Sequence, residues 1–277
     1  MNVPLDVIEA LAGVPGFAGN ADAVEELKGG LTNRVYLVRS AARRCVLRLS
    51  SAGDSAVHPD RSCELPILEA AGAAGIAPEI LYADVAAGIL VTEYLGGPVW
   101  QASDLESKDN IEALAELLRR VHALPRCGTP LNPGGMAEKY EECLRPHRGL
   151  HEFASDCVRI IREIPVREDL FCCHNDIVAA NVIDSGGLKL IDWEYASDND
   201  PLFDLASAIG YHNLGDGRQC ILLDAYAGGA DSELTERLVE QVRVYEALEW
   251  LWLATRHLAA PQPDQASRLE ELRVRIR

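Results

Sequence analysis

The sequence predicts an α+β chain in two lobes, a small five-stranded antiparallel sheet within residues 1–95 and a mainly helical lobe over 96–277. Three observations carry that expectation. Short alternating apolar segments separated by Gly, Asn and Asp crowd the first 95 residues, as half-buried strands joined by turns do. Beyond Asp109 the apolar spacing becomes helical, with positions 111, 114, 117, 118 and 121 on one face. Between these regions Glu93-Tyr94-Leu95-Gly96-Gly97-Pro98 sets two glycines and a proline after an apolar strand, which marks a lobe boundary.

In chain order, residues 3–12 read as a short helix stopped by Gly13 and Pro15. Val24–Lys28 and Arg34–Val38 read as strands joined across Gly29-Gly30-Leu31-Thr32-Asn33. The glycine pair lets backbone amides approach a ligand closely, and Thr32 and Asn33 add polar groups able to face phosphate; an ordinary hairpin turn has the same composition. In the third strand, Cys45–Leu49, alternation sets Arg48 on the same face as Val46, so its charge calls for an anionic ligand or a carboxylate. Glu64, early in a helix expected over about 60–72, is the candidate carboxylate. A strand cation held by a helix glutamate while it reaches nucleotide phosphates is an arrangement that kinases use. Ile80–Tyr82 and Ile89–Thr92 complete the sheet, and the linker after them can offer backbone groups to a flat base.

The stretch from Phe171 to Glu194 carries the chemistry. Leu170–Cys173 reads as a buried strand feeding a loop, and Val182–Ile183 and Leu188–Ile191 as a hairpin turned at Asp184-Ser185-Gly186-Gly187. On this frame Asp176 and Asn181 reproduce Asp-x-x-x-x-Asn, with His174 two residues ahead and Asp192 beyond the hairpin. In phosphoryl transfer such an Asp accepts the proton of the attacking hydroxyl, and the Asn and second Asp hold Mg2+. Two oxygen ligands suit a hard cation that also takes phosphate oxygens. Isolated acidic residues near strand ends are more often turn or cap residues, and it is the flanking elements that favour the catalytic reading.

Helical patterns continue over 110–124, over 136–163 with a break near Pro146 and Gly149, from Pro201, and over about 232–258. Asp204, early in the helix opened by Pro201, is expected to satisfy backbone amides of the Asp176 loop. In the last long helix Tyr245, Glu249 and Trp252 share one face and Glu246 and Trp250 a neighbouring one. Aromatic rings beside a carboxylate suit a quaternary ammonium group, and a packed aromatic stripe is the other reading.

Composition narrows the function classes. A formal net charge of −17 would repel nucleic acid and favours a cationic small molecule. No apolar run approaches about 18 residues, which argues against a membrane span, and the first residues do not read as a secretory signal. Eight cysteines without a Cys-x-x-Cys pair read as reduced, packed thiols of a cytoplasmic protein. Oligomeric state is not legible in these residues.

Taken together, Gly-Gly-Leu-Thr-Asn-Arg-Val-Tyr at 29–36, Val-Leu-Arg-Leu at 46–49, Glu-Tyr-Leu-Gly-Gly at 93–97, His-Asn-Asp-Ile-Val-Ala-Ala-Asn at 174–181, Ile-Asp-Trp-Glu-Tyr-Ala at 191–196 and Asp-Asn-Asp-Pro-Leu-Phe-Asp-Leu-Ala at 198–206 form a recognisable order. The chain resembles the choline/ethanolamine kinase branch of the aminoglycoside phosphotransferase-like family, small-molecule kinases with a protein-kinase-like fold. The resemblance implies MgATP as phosphoryl donor and a small hydroxylated acceptor, often an amino alcohol. It implies Asp176 as catalytic base, Asn181 and Asp192 as metal ligands, and Arg48 with Glu64 as the phosphate-binding ion pair. It further implies Gly30, Thr32 and Asn33 at the nucleotide and the backbone of Glu93 and Leu95 at adenine. Trp193, Glu194, Tyr195, Tyr245, Glu249, Trp250 and Trp252 are the acceptor-pocket candidates. Arg48 departs from the lysine of the wider kinase pattern, and Trp193-Glu194 from its Phe-Gly. Choline is the first expected acceptor and ethanolamine the next; thiamine, an aminoglycoside, a hydroxylated amino acid or a sugar on the same scaffold, and a non-catalytic nucleotide-binding protein, are the alternatives.

Overall fold

The computed structural model describes residues 4–15, 22–27, 33–40, 43–50 and 60–277. The chain divides into two compact units. The first takes in Met1–Ser55, Leu68–Pro98 and Ile183–Ile191, and the second Ala56–Ile67, Val99–Val182 and Asp192–Arg277.

In the first unit, strands β1 (Ala23–Leu27), β2 (Asn33–Arg39), β3 (Arg44–Ser50), β4 (Ile80–Asp84) and β5 (Ile89–Glu93) form one antiparallel sheet in the order β1-β2-β3-β5-β4. Period-2 alternation sorts their side chains. Tyr36, Val38, Cys45, Leu47, Leu49 and Val91 turn to one buried cluster, which helix α1 (Leu5–Gly13) joins through Val7, Ala10 and Leu11 at helical spacing. Arg48, opposite Val35 and Leu90, alternates with buried Leu47 and Leu49 and is half-buried like Val46. Helix α2 (Glu64–Ala73) runs from the second unit into the first. The hairpin β7 (Val182–Asp184) and β8 (Leu188–Leu190) is tied back by the Asp184 amide donating to Pro98 O (3.0 Å) and the Leu190 amide to Ile76 O (2.8 Å). Gly97 has φ +131°, and a Cβ there would lie 2.0 Å from the carbonyl oxygen of Asp184, so this approach needs glycine.

The second unit is helical. In α3 (Lys108–His122) the stripe Ile111, Leu114, Leu118 and Val121 is at most 1% exposed, and each such side chain contributes on the order of 2 kcal/mol by leaving water. Helix α4 (Pro133–Leu144) starts with Pro133, and the Asn132 side chain accepts from the Gly135 amide at 2.8 Å. Helix α5 (Arg148–Glu163) follows, then strand β6 (Phe171–Cys173), which pairs with β9 (Ser197–Asn199). Helices α6 (Leu202–His212), α7 (Asp216–Ala227), α8 (Ser232–Ala259) and α9 (Pro263–Ile276) complete the unit. No element is expected from the sequence at β9, α7 or α9. β9 is three residues of Ser, Asp and Asn, without strand-forming side chains, and is made a strand only by its partner Phe171–Cys173.

The cysteine expectation needs correction. Cys63 and Cys127, 64 residues apart in sequence, form a disulfide with Cα atoms 5.7 Å apart. Tertiary packing alone brings them together, which is why their spacing gave no signal. The remaining six are free thiols, of which Cys45, Cys157, Cys172 and Cys173 are buried.

Candidate active site

The loop after β6 is held from beneath by side chains of α6. Asp204, fully buried, accepts from the His174 amide (3.0 Å) and the Asn175 amide (2.6 Å), as expected from its position. His122 Nε2 lies 3.0 Å from the same carboxylate, and Tyr226 Oη lies 2.7 Å from His122 Nδ1. Ser207 Oγ accepts from the Ile177 amide (2.7 Å), and His212 Nε2 from the Ala179 amide (2.9 Å). His122, Cys173 and Asp204 are close enough to resemble a metal cluster, but Asp204 already accepts three hydrogen bonds there and the Cys173 thiol points to Asn199 O (3.6 Å). Burial raises the Cys173 thiol well above its ordinary pKa, which keeps that side chain a neutral thiol.

Asn175 sits in the left-handed region (φ 66°), a conformation that Asn tolerates better than most residues. Its side chain donates to Tyr195 O (3.0 Å) and Ser197 Oγ (2.8 Å) and accepts from Asn199 Nδ2 (2.8 Å). These bonds tie the loop before Asp176 to the segment after Asp192. Asp192 is left-handed as well (φ 64°) and exposed, and the turn behind it buries Trp193 against the His174 ring, with centroids 4.7 Å apart.

Asp176, Asn181 and Asp192 therefore lie in one unit, on segments joined by these hydrogen bonds. Asn181 Nδ2 donates to both the carboxylate and the carbonyl of Asp176, each at 3.0 Å, so the amide oxygen is the atom that Asn181 offers a cation. Burial first, and the Asp192 charge second, push the Asp176 carboxyl up to about 7, although the residue keeps part of its surface open to solvent. Glu194 adds a third carboxylate to that field and forms an ion pair with Arg61. Clustered carboxylates beside an amide oxygen are the donor set of a hard divalent cation, and Asn181 with Asp192 fit Mg2+.

The acceptor-pocket candidates separate. Trp250 is 1% exposed, stacks edge-on against Phe153 (4.7 Å) and donates to Leu269 O (3.2 Å), so it is core. Trp193 is core against His174. Glu249 is paired to Arg268 (2.8 and 3.0 Å), and the neighbouring Glu246 to Arg275. Trp252 lies under the guanidinium of Arg256 (5.1 Å). The Asp176 charge is instead felt at Tyr195, Tyr211 and Tyr245, whose phenols burial raises above their ordinary range. Tyr245 packs on Phe203 (5.8 Å) and leaves no room for a Cβ at Gly210. Nothing local in the sequence sets half-exposed Tyr211 apart.

In the first unit Asn33 opens β2 opposite Ser50, and Arg48 has the strand position described above. The Glu93 amide donates to Glu79 O (2.9 Å), and Leu95 is 9% exposed. Gly30 and Thr32 lie outside the described residues. Glu64, buried at the start of α2, belongs to the second unit. His122, Ser207, His212, Tyr226 and Arg61 had no sequence signal beyond the i, i+3 spacing of Asp204 and Ser207 on one helix face.

Residues 23–250 match the phosphotransferase enzyme family. A thiamine kinase of Salmonella heidelberg is 31% identical over 180 residues, covering 62% of this chain and 60% of that protein. A probable choline kinase of Arabidopsis thaliana is 24% identical over 214 residues, 69% of this chain and 61% of the relative. The chain thus spans about three-fifths of the length of these curated relatives. A choline/ethanolamine kinase family protein from Mesorhizobium loti superposes with a TM-score of 0.75 at 26% identity, covering 98% of this chain and 92% of that one. The sheet-plus-helices architecture is protein-kinase-like, and the matched residues include the whole Asp176–Asp192 frame. The chain belongs to the phosphotransferase enzyme family.

Proposed function

We propose that this protein is an ATP-dependent kinase that phosphorylates the hydroxyl of a small cationic alcohol, with choline or ethanolamine the first candidates. The observation that carries the reading is the Asp176 carboxylate held by Asn181 Nδ2 at 3.0 Å, with the Asp192 charge acting on it. A carboxyl near 7 is poised to accept a hydroxyl proton at neutral pH. Asp176 orients the acceptor hydroxyl and takes its proton, and Asn181 fixes that carboxylate through Nδ2. Asn181 and Asp192 would hold Mg2+, which supplies charge neutralisation to the triphosphate. Arg48 adds a cation for the phosphates, with Glu64 as its proposed partner, and the backbone at Glu93 and Leu95 receives the adenine. Catalysis in such a site is positioning and electrostatics. A cytoplasmic setting is part of this proposal and follows from ATP as the proposed donor.

The engagement of Glu246 and Glu249 by arginines moves the acceptor reading away from the carboxylates of the long helix and toward Tyr195, Tyr211 and Tyr245. Thiamine is the second reading, favoured by the 31% identical relative: it too is a cation bearing a primary alcohol. Release of ADP from MgATP by the purified protein, measured with choline, ethanolamine, thiamine, several aminoglycosides and no acceptor, decides between them. Stimulation by choline or ethanolamine is expected. Stimulation by thiamine alone selects the second reading, and MgATP binding with no turnover on any acceptor removes the proposed substrate class.

A further inference from the structure

Three side chains of α6 engage four amides of the loop: Asp204 takes those of 174 and 175, Ser207 that of 177 and His212 that of 179. Positions 204, 207 and 212 share one broad helix face. Asp204 holds the two residues before Asp176, and Ser207 the residue just after it. The third acts between Asp176 and Asn181, midway along the segment whose length fixes how the proposed base and metal ligand face each other. Because Ala179 donates, His212 Nε2 must carry a lone pair, which requires the neutral Nδ1–H tautomer.

The anchor side of this contact is itself fixed. His212 is the last residue of α6, where backbone carbonyls lack helical partners. Arg268 of α9 donates to Gly210 O (2.8 Å) and Tyr211 O (3.2 Å), and Arg275 to Gly210 O (3.2 Å). Arg268 is in turn held by Glu249. Cations at a helix C-terminus stabilise it. Burial, then the Arg268 charge, hold the His212 imidazole down at about 4, which keeps Nε2 an acceptor at neutral pH.

We propose that His212 is a positioning residue for phosphoryl transfer: its neutral imidazole holds the Ala179 amide and so sets the spacing of Asp176 and Asn181. The role rests on the kinase reading of those two residues, whereas the tether itself does not. His212→Phe keeps a ring and removes the acceptor; His212→Gln restores an acceptor oxygen near the place of Nε2. In the Phe variant kcat is expected to fall about tenfold, the effect of one lost buried hydrogen bond expressed at the loop, with the MgATP KM within twofold. The Gln variant recovers most of that loss. Amide hydrogen exchange over 177–181 accelerates in the Phe variant and stays at wild-type rates in α3, α5 and α8. Unchanged exchange over 177–181 overturns the tether. Faster exchange with wild-type kcat, or equally faster exchange throughout the second unit, overturns the positioning role. A wild-type protein that neither binds MgATP nor turns over any acceptor, while its 177–181 exchange responds to the Phe substitution, defeats the kinase reading and leaves the tether standing.

Discussion

Asn181 Nδ2 bridges the carboxylate and the carbonyl oxygen of Asp176, both at 3.0 Å, so the amide across the loop fixes the orientation of the acid five residues before it. Asp176→Asn keeps the shape of this bridge and removes the proton acceptor. Turnover is expected to fall ~10³-fold or more with nucleotide affinity within a few-fold. Steady-state kinetics and nucleotide titration check it, and near-normal turnover would remove Asp176 from its role.

Asp176 also makes the site sensitive to pH. Its carboxyl is raised to about 7 by burial and then by Asp192. Turnover should therefore fall as pH drops below about 7, and a cation on Asp192 moves that limb lower by offsetting the like charge. Asp192→Asn lowers the midpoint for the same reason, which a ¹³C carboxyl titration of metal-free protein reads directly. Between about pH 4 and 7 the folded chain keeps a proton there that the unfolded chain releases, so this group's contribution to stability declines as pH rises through that window. A midpoint near 4 in the wild type would contradict both statements.

Closing a loop across 64 residues should stabilise the chain by about 4 kcal/mol if the disulfide acts by restricting the unfolded state. Urea unfolding of the Cys63→Ser/Cys127→Ser variant should show a loss of up to that size without reductant, and coincide with the wild type in dithiothreitol. Thiol titration of the unfolded, unreduced protein should count six of the eight cysteines. Eight reactive thiols would refute the bond.

Gly210→Ala tests the packing of Tyr245. A Cβ at that position would meet Tyr245 Cδ1 at 2.6 Å, so the ring must move. Overpacking of this kind costs roughly 1–3 kcal/mol, against a helix-propensity gain of about 1. A net fall in Tm with a raised acceptor KM is expected; a raised Tm with unchanged KM would mean that the ring shifts freely and has no part in the acceptor site.

The sequence by itself determined the five strands and the main helices, and it singled out Asp176, Asn181 and Asp192 as candidates, because all of these rest on local rules. Alternation of period 2 sends Leu47 and Leu49 inward and leaves Val46 and Arg48 half-buried on the other side, and the turn at 184–187 follows from its residue types. Tertiary structure alone decided which partner each charged or reactive side chain meets. Glu194 finds Arg61 across 133 residues, Glu249 finds Arg268 across 19, and Cys63 finds Cys127 across 64. Trp250 and Glu249 are adjacent on one helix, yet one is core and the other is held in an ion pair with Arg268, because the neighbours of each face come from other elements. His212 differs from a surface histidine only in that its helix ends beside Ala179. Periodicity fixes which way a side chain points along its own element, whereas the group waiting there depends on how distant segments pack.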